Sequence, residues 1–249
     1  MKASYAHYTL HFRQPAGTSR GVLTDKETYF LKLEDEDMPG VFGLGECAVF
    51  RGLSADDVPA YEDKLRELCA NISADKETDL HEFPSIRFGL ETAINDFANG
   101  CRRQPFPSDF TEGMSAIPIN GLVWMGTKEE MLRRIDDKIK AGFTTIKLKV
   151  GAIDTESELD LVRHIRKVFP PEALTIRLDA NGGFTPDNAL QKLSDFARYG
   201  IHSIEQPIKQ GQWEAMRRIC SESPIDIALD EELIGIHTPE RMGEMLDAV

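Results

Sequence analysis

Five residues carry the chemistry this sequence could perform: Lys147, Lys149, Asp179, Glu205 and Asp230. Both lysines lie in "TIKLKVG", which otherwise reads as a buried strand. Strand side chains alternate faces, so the two ammonium groups point the same way. A buried ammonium is costly unless something compensates it. Each acid ends a short, largely apolar run, "TIRLD", "HSIE" or "DIALD". The intervals are 30, 26 and 25 residues (149 to 179, 179 to 205, 205 to 230). Each interval matches one βα unit. Neighbouring parallel strands would then bring three carboxylates and the lysine pair to one rim, where barrel enzymes keep their catalytic groups.

Three carboxylates in a confined site cannot all stay ionised without a cation. Oxygen donors without histidine or cysteine suit Mg²⁺, or Mn²⁺, better than zinc. Such an ion disfavours a protonated lysine beside it and lowers its pKa toward neutrality, where an amine can take a proton from carbon. The ion would hold the resulting enediolate of a carboxylate substrate. Taken singly, each residue has a plainer explanation. Asp179 and Asp230 could cap the following helices, and either lysine could snorkel from a sheet edge. Recurrence at the same end of four consecutive strands is what favours chemistry. Glu231 could support the ligands; Glu232 is expected in solvent, and Trp213 and the histidines in packing or surface roles.

The elements that must position these groups follow from periodicity. From about Ser115 short apolar runs alternate with helical patterns: "AIPINGLV" then "TKEEMLRRIDDKIKAG", "FTTIKLKVG" then "TESELDLVRHIRKVF", "ALTIRLDANGG" then "TPDNALQKLSDFARYG", "IHSIEQPI" then "GQWEAMRRICSES", and "PIDIALDEEL" then "TPERMGEMLDAV". Five βα units in a row predict a parallel sheet. No GxGxxG or P-loop follows any strand, so nothing favours a nucleotide fold. The first third is mixed. Strands are expected in "YAHYTLHF" and "ETYFLKLED", joined through the irregular "PAGTSRG". The chain is expected to be irregular again after Glu46. A helix capped by Ser54 should run through "VPAYEDKLRELCANI", and another through "PSIRFGLETAINDFANG" between Pro84 and Gly100. These readings divide the chain at 112/113.

The 249 residues carry a net charge of −13, with 41% hydrophobic residues. An acidic chain with no basic run is a poor partner for nucleic acid or an anionic membrane. No window of 18 apolar residues is present, and "MKASYAHYTLHFRQ" lacks a signal-peptide core. Cys47, Cys69, Cys101 and Cys220 have no CxxC spacing and read as free thiols in a reducing cytoplasm. Oligomeric state has no signal here.

Taken together, "KLK", "LDAN", "IEQP" and "LDEE" resemble the enolase superfamily, within its muconate-lactonising-enzyme-like branch. "GLGECAVFRGLS" is similar to the mobile capping-domain loop of those enzymes, and "PSIRFGLETAINDF" to the helix leading into their barrel. The resemblance covers nearly the whole chain. It implies an N-terminal α+β capping domain (1–112) and a (β/α) TIM-type barrel (113–249). It implies Mg²⁺ on Asp179, Glu205 and Asp230, with Lys149 as general base and returning acid. Lys147 would stabilise charge near the substrate carboxylate and depress the Lys149 pKa. Asn181 would support the ligands or meet substrate. Phe50 and Arg51 would shield a small carboxylate substrate from water. Within the branch, "SIEQPIKQGQWEAM" and "IALDEELIG" look most like the lyases of menaquinone biosynthesis. Their reaction is dehydration of a succinyl-bearing hydroxycyclohexadiene carboxylate. Dipeptide epimerase, muconate cycloisomerase and a non-catalytic metal-binding scaffold are the alternatives. The chain stops after five barrel strands where the family has eight, and lacks the family's lysine at the end of the sixth. The expectation is therefore an incomplete barrel, a fragment of a longer protein.

Overall fold

The structure, a computed structural model, describes residues 1–18 and 21–249. They form two compact units: residues 1–13 with 24–117, and residues 14–23 with 118–249. The main division thus falls at 117/118, five residues beyond the 112/113 read from the element pattern. The segment 14–23 also joins the second unit, where the Met125 amide donates to the Gly17 carbonyl at 3.0 Å. Nothing in the local sequence signals that long-range bond.

The first unit holds most of a three-stranded sheet, β1 (Lys2–Thr18), β2 (Gly21–Glu34) and β3 (Phe42–Cys47), with two helices, α1 (Tyr61–Ser73) and α2 (Pro84–Ala98). Strands β2 and β3 are antiparallel, from Tyr29 opposite Cys47 to Glu34 opposite Phe42. The irregular link expected at 15–21 is displaced by strand: β1 continues through Thr18 and β2 starts at Gly21, while Ser19 and Arg20 lie outside the described residues. The glycines of "GLGEC" serve close packing. A Cβ at Gly45 would stand 1.8 Å from the Gly89 carbonyl oxygen of α2, and one at Gly43 2.2 Å from that of Ala93. Only bare backbone lets the helix approach the strand this closely.

Leu65 and Leu68 of α1 join Tyr61, Leu31, Val49 and Ile86 in the unit's core. Ser54 does not cap α1, which begins at Tyr61; its hydroxyl accepts the Phe50 amide at 2.8 Å. Buried Asp56 instead ties the start of α2, accepting from the Ser85 amide at 2.9 Å and hydroxyl at 2.7 Å. A short carboxylate facing free N–H groups at a helix start satisfies donors that have no partner within the helix.

The second unit holds five parallel strands in sequence order: β4 (Gly121–Val123), β5 (Thr145–Lys149), β6 (Thr175–Asp179), β7 (Ser203–Glu205) and β8 (Asp226–Ala228). Helices α3 (Lys128–Lys140), α4 (Thr155–Arg166), α5 (Ala189–Ala197), α6 (Trp213–Glu222) and α7 (Pro239–Ala248) follow them in turn. Caps set several starts: Thr127 with Glu130 forms a capping box on α3, and Asp154 and Thr238 cap α4 and α7. The strands are shorter than their apolar runs, because pairing stops where the loops turn away. Helix α5 starts at Ala189 rather than Thr185, after Thr185 and Asn188 bond one another.

Ile146, Leu148 and Val150 are buried in one core with Ile176, Leu178, Ile204 and helix residues such as Ile135, Val162, Leu193 and Phe196. The alternating positions Lys147 and Lys149, and Asp179 and Glu205 after them, are thereby turned to the opposite face. We expect Gly45→Ala to lower the unfolding free energy by about 3 kcal/mol, at the upper end of overpacking costs. Chemical denaturation measures this, and an unchanged midpoint would show that α2 can move off the strand.

Candidate active site

Register alone aligns most of the cluster. Lys149 pairs with Asp179, Asp179 with Glu205, and Glu205 with Ala228, so three polar side chains stand side by side on adjacent strands. Asp230 follows two residues after the last pair. The Lys147 ammonium bridges Asp179 Oδ2 at 2.8 Å and Glu205 Oε2 at 2.6 Å. Lys149 Nζ donates to the same Asp179 Oδ2 at 2.5 Å and to Asn181 Oδ1 at 2.8 Å. It also lies 5.9 Å from the ring centre of Trp124. Each of the two lysines on this buried strand therefore faces a carboxylate.

Electrostatics follow from that geometry. Burial disfavours the charged form of Asp179, but Lys149 and Lys147 outweigh it and hold the carboxyl below its usual range. Burial pushes Glu205 up, offset only in part by Lys147. Partial desolvation, with Glu231 and Asp179 nearby, also pushes Asp230 up, although the residue reaches the surface. For Lys147 desolvation is overcome by its two acids, and its pKa is raised.

Asn181 is buried at a φ of +44°, unusual for a residue other than glycine. That turn lets its amide donate to Asp179 Oδ1 at 3.1 Å and its side-chain NH₂ to Glu231 Oε1 at 3.0 Å. Glu231 is buried beside it. Phe50 and Arg51 belong to the first unit. There Arg51 donates to Glu27 at 2.8 Å and Asp57 at 2.7 Å, and the Phe50 carbonyl accepts from Leu53 and Ser54.

Three further residues are ones that sequence reasoning misplaced or missed. Glu232, expected in solvent, is 5% exposed and accepts from the Trp213 indole and the Gly211 amide, both at 2.7 Å. Gln206, fully buried, bonds the 230–232 turn. Trp124 follows the end of β4 as the acids end their own strands, which was the available signal. Gln206 had only its place between Glu205 and Pro207 to mark it.

The donors suit a hard divalent cation: Asp179, Glu205 and Asp230 offer only oxygen, from successive strand ends. As the side chains stand, no three acids, histidines or cysteines among the described residues enclose an ion. The ammonium of Lys147 sits between Asp179 and Glu205 instead, marking where these acids favour positive charge.

Residues 130–247 match the family model described as enolase C-terminal domain-like. The whole chain is also 40% identical to a known enzyme, covering 76% of its length. The chain belongs to the enolase superfamily. That relative is the o-succinylbenzoate synthase of Desulfotalea psychrophila. The crystal structure of MenC from the same organism has a TM-score of 0.84 and 37% identity over all of this chain and 75% of its own. The o-succinylbenzoate synthase of Thermosynechococcus elongatus, complexed with Mg in its active site, has a TM-score of 0.77 and 26% identity, over 99% of this chain and 73% of that one. The five parallel strands and their helices accordingly belong to a TIM-type barrel with an N-terminal capping domain.

Beside the site, buried Glu158 of α4 accepts the Gly151 amide at 2.5 Å, with the amides of Ala152 and Ile153 also directed at it. This fastens the loop that leaves β5 just after Lys149. Burial pushes the Glu158 carboxyl up, and the amides only moderate the shift. A folded-state pKa above the unfolded value near 4.3 means the folded form gains protons first as pH falls. Wild-type stability relative to Glu158→Gln should therefore improve as pH falls through the folded pKa, and level off below about pH 4. Urea unfolding of both proteins from pH 8 to 4 checks this; a flat or opposite trend would contradict it.

Proposed function

We propose that this chain is a Mg²⁺-dependent lyase of the o-succinylbenzoate synthase type, dehydrating a succinyl-bearing hydroxycyclohexadiene carboxylate. The observation that carries the reading is the placement of Lys149. Its Nζ is held 2.5 Å from Asp179 and 2.8 Å from Asn181, next to Lys147, which bridges two of the three aligned acids. Asp179, Glu205 and Asp230 would hold Mg²⁺, or Mn²⁺. When bound, the ion would supply positive charge to the substrate carboxylate as negative charge builds there.

Lys149, in its neutral form, takes the proton α to the carboxylate, and the electron pair left on carbon spreads into that carboxylate. The ring C–O bond then breaks. The departing hydroxide leaves as water with the proton returned by Lys149, and the ring becomes aromatic. One base on one face suffices, because proton and hydroxide leave from the same side. Lys147 keeps a fixed positive charge beside the carboxylate. Asn181, held by Glu231, fixes the lateral position of Lys149. The uncrossed cysteines fit a reducing cytoplasm.

The experiment is turnover of the cyclohexadiene substrate by the full chain with Mg²⁺, alongside a dipeptide panel in deuterated water. Aromatic product with no dipeptide exchange is expected. Dipeptide α-deuteration without dehydration would replace the reading with epimerisation, and no chemistry on any substrate would leave a scaffold. Lys149→Ala should lower kcat by about 100-fold or more, as loss of a general base does, while circular dichroism stays unchanged. Unaltered turnover would remove Lys149 from the role.

A further inference from the structure

Asp230 is the one acid of the three whose position the sheet does not set. The pairing of β7 with β8 ends at Glu205 opposite Ala228, two residues short of it. Its backbone instead hangs on a side chain. Gln206 Oε1 accepts both the Asp230 amide and the Glu232 amide at 3.1 Å. Gln206 Nε2 donates to the Ile208 carbonyl at 3.0 Å and to Glu232 Oε2 at 3.1 Å. Two donors on one end and two acceptors on the other fix the orientation of the amide and satisfy it fully.

The backbone of Gln206 is engaged just as completely. Its amide donates to the Ala228 carbonyl at 2.9 Å, and its carbonyl accepts from Gly182 at 2.7 Å. Gln206 thus joins the loop after β6, the end of β8 and the 230–232 turn, directly after Glu205. It does so at a φ of +41° and with no solvent exposure. A strained, buried, fully bonded polar residue is costly to keep unless the surroundings require it. Glu232 extends the same network to the loop before α6 through Gly211 and Trp213.

We infer that Gln206 is the positioning residue that sets Asp230 against Asp179 and Glu205 for binding of the divalent ion, acting through its side-chain amide and Glu232. This rests on the reading of Asp230 as a ligand. The amide touches neither ion nor substrate; it fixes where the third carboxylate starts from. Removing it leaves the Asp230 and Glu232 amides, the Ile208 carbonyl and a Glu232 carboxylate oxygen without this partner, so the 230–232 turn must shift.

The test is Mg²⁺ calorimetry on the full chain below its unfolding range, where a loss of stability alone does not alter the affinity of folded protein. Gln206→Glu keeps the oxygen that accepts both amides but replaces the donor NH₂ and sets a second carboxylate against Glu232. It should raise the Mg²⁺ dissociation constant by roughly 10-fold or more, the usual effect of losing a partner behind a metal ligand. The swap Gln206→Glu with Glu232→Gln restores an amide facing a carboxylate and should recover most of that loss. Asp230→Asn is the benchmark. Wild-type affinity in Gln206→Glu alongside weak binding in Asp230→Asn would overturn the inference and leave the ligand reading standing. Wild-type affinity in Asp230→Asn would overturn both. Should Gln206→Glu fail to fold, the swap decides: affinity near wild type supports the inference, and weakening equal to that of Asp230→Asn overturns it.

Discussion

One buried carboxylate oxygen organises this protein's site: Asp179 Oδ2 accepts from both Lys147 and Lys149. An ammonium on a buried strand costs several kcal/mol unless it is paired in good geometry. Asp179 has no solvent exposure, and the lysines beside it hold its carboxyl below the usual carboxylate range against the pull of burial. The dependence is mutual. Both lysines on that face of β5 meet the acid on β6, and the acid meets two ammonium groups. The parallel register that sets Lys149 beside Asp179 and Asp179 beside Glu205 is therefore also an electrostatic arrangement.

Around that core the chain spends backbone strain on direction. Asn181 and Gln206 follow the acids of β6 and β7 closely, and both have positive φ. The local twist turns their amides back toward the acids' own network. Asn181 reaches Lys149 and Glu231, while Gln206 reaches the turn that carries Asp230. Strand ends alone would aim three carboxylates at one rim. These two side chains connect that rim into a single bonded network, a general device for holding polar groups in place where loops begin.

Much of this was legible in the residues. Lys147, Lys149, Asp179, Glu205 and Asp230 were found by type and spacing, because one βα unit has a characteristic length and a side-chain period of two decides the face. Asn181 and Glu231 came from the resemblance and from adjacency to the acids, and both sit in the network. Glu232 was misjudged because an acid after two others reads as surface, whereas Trp213 and Gly211, some twenty residues earlier, bury it. Gln206 was passed over for the same reason: its four side-chain bonds are local to the fold and mostly remote in sequence. In sequence the glycines of "GLGEC" resemble a loop, and only the 1.8 Å approach of α2 reveals them as contacts.

The sequence by itself determined the alternation of strand and helix, the face on which the lysines lie, and the oxygen-only donors of the three acids. Those follow from periodicity and residue chemistry, which are local. Tertiary structure alone decided that Lys147 bridges two acids, that Asp56 rather than Ser54 anchors a helix, and that residues 14–23 join the second unit. Each depends on which distant groups meet when backbone donors and buried charges are satisfied, and that competition has no periodicity to read.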